Sequence, residues 1–78
     1  MPRYFFDTTD GDEFVRDDVG LVLNNVVEAR DEATAGLADL AREAIPGRVR
    51  RELSVAVRDD TDWPLLRAAL WFEVRRLA

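Results

Sequence analysis

Six carboxylates fall within the twelve residues from Asp7 to Asp18: Asp7, Asp10, Asp12, Glu13, Asp17 and Asp18. Clustered carboxylate oxygens are what hard cations such as Ca²⁺ and Mg²⁺ bind. An EF-hand loop needs oxygen ligands at its first, third and fifth positions, ahead of a glycine at the sixth. With Gly11 as that glycine, the first position falls on Phe6 and the third on Thr8, so the loop fails. A looser cation site built from Asp10, Asp12, Asp17 and Asp18 stands against a plainer reading as solvated hairpin turns, and the plainer one is preferred; no metal site is expected.

Other chemistries find fewer parts. Paired carboxylates serve acid–base catalysis only inside a pocket, and one helix on a small sheet offers little room for one. Ser54 is the single serine, and no histidine exists to activate it. The absence of cysteine and histidine removes disulfides, thiolate chemistry and the usual zinc ligands. With no lysine and no glycine-rich turn there is no phosphate loop. No enzymatic activity, catalytic residue or cofactor is therefore expected. Arg48, Arg50 and Arg51, with Arg75 and Arg76, form the one basic feature that suits a phosphate or an acidic partner. A net charge of −5 opposes it, and nucleic acid is not an expected partner.

The elements that must position these residues are organised around a helix from Asn25 to Ile45. Asn25 is placed as N-cap and Glu28 follows three residues later, the pattern of a capping box in which Glu28 reaches back to the cap. Pro46-Gly47 supplies the stop. Val26, Ala29, Ala33, Leu37, Leu40 and Ala44 share one face at three- and four-residue spacing, with acidic residues mostly opposite. Gly36 in mid-helix is explained either by a close approach of helix to sheet or by plain drift.

Extended segments flank the helix. Arg3 to Thr8 is an aromatic strand, Asp10-Gly11 a hairpin signal, and Glu13 to Arg16 the second strand. Leu21 to Leu23 is an extended approach to the helix cap. Beyond the helix, Leu53, Val55 and Val57 alternate with polar or small residues in a half-buried strand, and Asp59 to Asp62 make a turn in which Asp62 tolerates a left-handed conformation. Trp63 to Leu77 reads two ways. As a helix it is capped by Asp62 with a Leu66, Leu70, Val74 and Leu77 stripe; as a strand, Leu66, Ala68, Leu70, Phe72 and Val74 line one face. The alternation and the short turn before it favour the strand.

Pro2-Arg3-Tyr4-Phe5-Phe6, Asp10-Gly11, Asp17-Asp18-Val19-Gly20, the Asn25 cap with Ala29-Arg30 and Glu32-Ala33, and the run from Pro64 to Val74 resemble a family of small bacterial proteins, mainly alpha-proteobacterial, that carry a domain of unknown function. The resemblance spans nearly the whole chain. It implies an extended last segment and brings no established activity, so it carries over no functional residue.

The expected architecture is a single α+β domain over residues 1–78, ordered β-β-α-β-β: a four-stranded, mainly antiparallel sheet with one helix on one face. The opposite face would then show Phe5, Ala56, Ala69 and Trp71, ringed by Arg3, Arg58, Arg67, Glu52 and Glu73, an aromatic and alanine-rich centre with a charged rim. Phe5, Ala56, Arg67, Ala69 and Trp71 are the candidate interface. The expected role is a small interaction module that self-associates or binds a protein partner. An antitoxin-like or nucleic-acid-linked regulator is the second hypothesis. No apolar run reaches the ~18 residues of a membrane span and no signal-peptide pattern opens the chain, so a cytoplasmic protein with no membrane contact is expected.

Overall fold

The computed structural model describes residues 1–78. Strand β1 (Arg3–Asp10) turns through Gly11 into β2 (Glu13–Val15); β3 (Leu21–Val22) leads to helix α1 (Val26–Ala44), and β4 (Arg50–Asp59) and β5 (Pro64–Glu73) form the closing hairpin. The sheet order is β2-β1-β4-β5, every pairing antiparallel, with β3 also paired to β1. The α+β class and the helix on a largely antiparallel sheet are as expected.

The strand count is corrected from four to five. Leu21 and Val22 turn back along the start of β1, opposite Tyr4 and Arg3, and Leu23 continues this by donating its N–H to the Pro2 carbonyl at 3.1 Å. Gly20 permits that path, because its φ of +74° is costly for any residue with a Cβ, and a Cβ there would lie 2.8 Å from the Tyr4 carbonyl oxygen.

The last segment is a strand, joined to β4 through Asp62 at φ +66°. It ends at Glu73 rather than Leu77, because its partner strand begins only at Arg50, after a turn with Gly47 at φ +83°.

Strand β4 is central because its alternation supplies the core: Leu53, Val55 and Val57 are essentially solvent-free. Burying each such side chain is worth about 1.5–3 kcal/mol. Tyr4 and Phe6 of β1 and Leu66, Ala68 and Leu70 of β5 pack beside them, under Ala29, Ala33 and Leu37 of α1. The two alanines have no exposed surface, so the helix rests directly on the sheet there. One expectation about the helix changes, and the choice left open at Gly36 is decided. Val26 is 44% exposed, outside the buried stripe. Gly36 does not mark a close approach, since a Cβ at this position would meet nothing within 4 Å.

The N-cap is as the sequence suggests on one side only. The Asn25 side chain accepts from Glu28 N–H at 3.0 Å, but the Glu28 carboxylate reaches one residue further back, to the backbone N–H of Asn24 at 2.9 Å and its side-chain amide at 3.1 Å. These donors hold the Glu28 carboxyl below its ordinary value.

Candidate functional site

Strand register sorts the side chains on the face opposite α1. Phe5, Asp7 and Thr9 of β1 lie against Arg58, Ala56 and Ser54 of β4; across β4, Ala56 meets Arg67, Ser54 meets Ala69, and Glu52 meets Trp71 on β5. All five residues of the candidate interface are therefore on this face, but they do not form one surface. The loop from Arg16 to Gly20 folds over one end and leaves the other bare.

Arg58 is the hub of the covered end, and its place on an exposed rim is a correction. Its side chain keeps only 10% of its surface. Nε donates to Asp7 Oδ2 at 2.9 Å, Nη2 to the Asp17 carbonyl at 2.6 Å and more weakly to Asp7 Oδ1 at 3.4 Å, and Nη1 to Asp62 Oδ1 at 2.9 Å. The guanidinium carbon lies 4.5 Å from the centroid of the Phe5 ring, so Phe5 serves as a cation–π platform. A rigid fork of donors above an aromatic plane is a task for arginine rather than lysine. Hydrogen bonding to Asp7, together with the Asp7 and Asp62 charges, raises the Arg58 pKa against the opposing effect of desolvation. Phe5 is thus half-buried beneath Arg58 and Gly20.

Asp17 closes the same end. Its Oδ1 accepts from the Val19 and Gly20 N–H groups, both at 3.0 Å, its Oδ2 accepts from Phe6 N–H at 3.1 Å, and its own N–H donates to Asp7 Oδ1 at 2.9 Å. Burial pushes the Asp17 carboxyl up, but the Gly20, Val19 and Phe6 amides, with the Arg58 charge, outweigh it and hold the group below its ordinary value. Asp10 is engaged by Arg51 Nε at 2.6 Å. Two carboxylates of the loose cation constellation are therefore spent on backbone amides and on an arginine, while Asp12 and Asp18 stay exposed on the surface. No group of three or more histidine, cysteine or carboxylate residues converges as metal ligands do.

The bare end belongs to β4 and β5. Arg67, Ala69 and Trp71 are exposed, Trp71 to 70% of its surface, and Ser54 and Ala56 are half-buried beside them. A shallow hollow of about 230 Å³ runs across it, lined by Thr9, Gly11, Glu52, Ser54 and Arg67. The surface is a floor of small side chains with one large indole standing on it and charges of both signs around. A second hollow, of about 320 Å³, lies on the helix side between Gly36 and Glu32 of α1 and Phe6, Thr8 and Leu21 of the sheet.

Of the five candidate residues, the structure brings Ala56, Arg67, Ala69 and Trp71 together and sets Phe5 apart. Sequence reading missed Thr9 and Ser54, and also the covering of Arg58. The available signal was a charge of each sign on two extended segments, Asp7 between Phe6 and Thr8 and Arg58 directly after Val57.

A family model described as a domain of unknown function, DUF6894, matches residues 3–71, and the chain belongs to that family. Neither the curated proteins nor the solved structures give a match.

Proposed function

For this member of the DUF6894 family, we propose a non-enzymatic protein-interaction module that docks a protein on the bare half of the sheet face. The observation that carries this is Trp71, 70% exposed above the small side chains of Ala69, Ser54 and Ala56 and bordered by Arg67, Glu52 and Glu73. An aromatic anchor among small residues with a mixed-charge border has the anatomy of a contact surface, in which a few large side chains carry most of the binding energy.

An antitoxin-like or nucleic-acid-linked role draws no support from the arginines. Arg51 is engaged by Asp10 and Arg50 lies by Glu73, in a chain of net charge −5.

Site-specific photo-crosslinking in living cells tests the role. A photoreactive phenylalanine analogue replaces Trp71 on the sheet face in one variant, and Val27 on the exposed side of α1 in another. A discrete protein adduct from position 71 and none from position 27 is the expected outcome. Equal labelling from both positions, or none from either, removes the proposal.

A further inference from the structure

The two edges of the sheet are not alike. Along the outer edge of β1, Thr8 to Asp10 are paired by β2, Arg3 and Tyr4 by β3, and the Phe6 N–H between them by Asp17. On the other side, β5 is ten residues long and pairs only with β4. The Val74 N–H donates to the Val49 carbonyl at 2.8 Å, which fixes the phase of the ladder beyond the bulge: Leu66, Ala68, Leu70 and Phe72 turn their N–H and C=O towards β4, and Arg67, Ala69, Trp71 and Glu73 turn theirs outward. No hydrogen bond within the chain takes up those outward backbone groups. A long strand edge of this kind is a template for another strand.

We propose that β5 pairs antiparallel with β5 of a second copy of this chain, about a two-fold axis at Leu70, so that Arg67 faces Glu73 of the second copy. The proposal goes beyond the interaction role above: it uses the edge of β5 rather than the bare face, and names a second copy as what that edge takes. Phase restricts the choice, because outward-pointing residues must bond to outward-pointing residues. Among the registers that remain, moving the axis to Trp71 sets Arg67 against Arg75, a repulsive pair, and moving it to Ala69 sets Arg67 against Trp71 and Leu65 against Glu73.

The axis at Leu70 places Arg67 opposite Glu73 twice, by symmetry. Arg67 is free for this, since it makes no ion pair within its own chain. The same register sets the large exposed Trp71 against the small Ala69 on one face, and Phe72 against Ala68 on the other, with Leu70 meeting its own copy. Leu66, Ala68, Leu70 and Phe72 face the helix yet are only half-buried, which is the surface such a continuation covers.

Charge reversal tests both the pairing and its register. The full chain is sedimented over a wide concentration range and rises from 8.9 kDa to twice that mass. Arg67→Glu alone, and Glu73→Arg alone, each create two like-charge pairs across the axis and weaken self-association by about tenfold or more. Mixing the two variants restores dimers, because each position then faces its opposite. Circular dichroism confirms that each variant is folded.

A wild-type chain that stays at 8.9 kDa at high concentration overturns the proposal, as do single variants that dimerise like the wild type with no preference in the mixture. Failure here is separable from failure of the interaction role. A monomer that still gives a position-71 adduct with a different protein removes the second copy and keeps the role, whereas a monomer without adducts removes both.

Discussion

The carboxylate of Asp17 accepts the backbone N–H of Phe6 at 3.1 Å, in the gap that β2 and β3 leave along the edge of β1. One side chain stands where a strand would otherwise run. With Val19 and Gly20 also donating to it, Asp17 satisfies three backbone groups that have no other partner. Removing an acceptor from partly buried donors costs more than the bond itself contributes, because the donors remain desolvated. Asp17→Ala is expected to lower stability by about 2–3 kcal/mol and Asp17→Asn by about half as much, since the amide keeps one oxygen. Urea unfolding of the two variants checks the order and the size.

The same carboxylate makes stability sensitive to acid. Its folded pKa lies below the unfolded value, so its contribution is fully present above the unfolded pKa and is lost as pH falls through the folded one. Asp59 acts in the same direction, held low first by the Thr61 hydroxyl and then by the Thr61 and Trp63 amides against desolvation. Arg58 has a raised pKa, so its contribution persists at every pH below the unfolded arginine value and adds no loss near neutrality. Urea midpoints are therefore expected to hold steady from neutral pH down to about pH 5 and to fall below about pH 4. Asp17→Asn removes part of that fall, whereas an unchanged acid slope in this variant assigns the sensitivity to other carboxylates.

Arg58→Lys tests whether the hub needs a fork or only a charge. An ammonium on a flexible stem cannot reach Asp7, the Asp17 carbonyl and Asp62 together while lying over Phe5. The variant is expected to unfold at lower urea and to lose amide-exchange protection at Phe6 and Gly20 while β4–β5 amides keep theirs. A wild-type exchange pattern rules out the fork.

Two glycines move stability in opposite directions. Gly36→Ala places a methyl group in open space on a helix and is expected to stabilise by about 1 kcal/mol, which raises Tm by roughly 4–8 °C in a domain of this size. Gly20→Ala forces a Cβ to within 2.9 Å of the Phe5 ring at a φ of +74° and is expected to cost about 1–2 kcal/mol or more. Thermal melts of the two variants run side by side measure both.

Where local chemistry decides, the sequence was a sufficient guide. The Leu53, Val55 and Val57 alternation specifies a half-buried strand, Asn25 specifies a helix start, and Asp62 takes the left-handed position of the β4–β5 turn. Long-range partnership was not legible. Leu21 and Val22 are too short a pair to announce a strand, and they become one only through Gly20. Arg58 sits at an outward position of its strand, where a charge normally meets water. Its burial depends on Asp7 lying within reach on the adjacent strand and on a loop from Arg16 to Gly20 that folds back over both. Period-two alternation placed all five candidate residues on the face opposite the helix, but it is silent about what lies on top, so the covering of Phe5 by Arg58 and Gly20 was not legible.

The unequal edges also bear on how far assembly can go. A sheet open on both sides adds copies without end and becomes a fibre, whereas an isologous contact uses itself up when it forms. Asp17, by occupying the break in the β1 edge, leaves short strands there that offer little for a further chain to extend. Under the proposed β5 pairing, growth stops at two, and a single aspartate helps to keep a small domain with a long bare strand from polymerising.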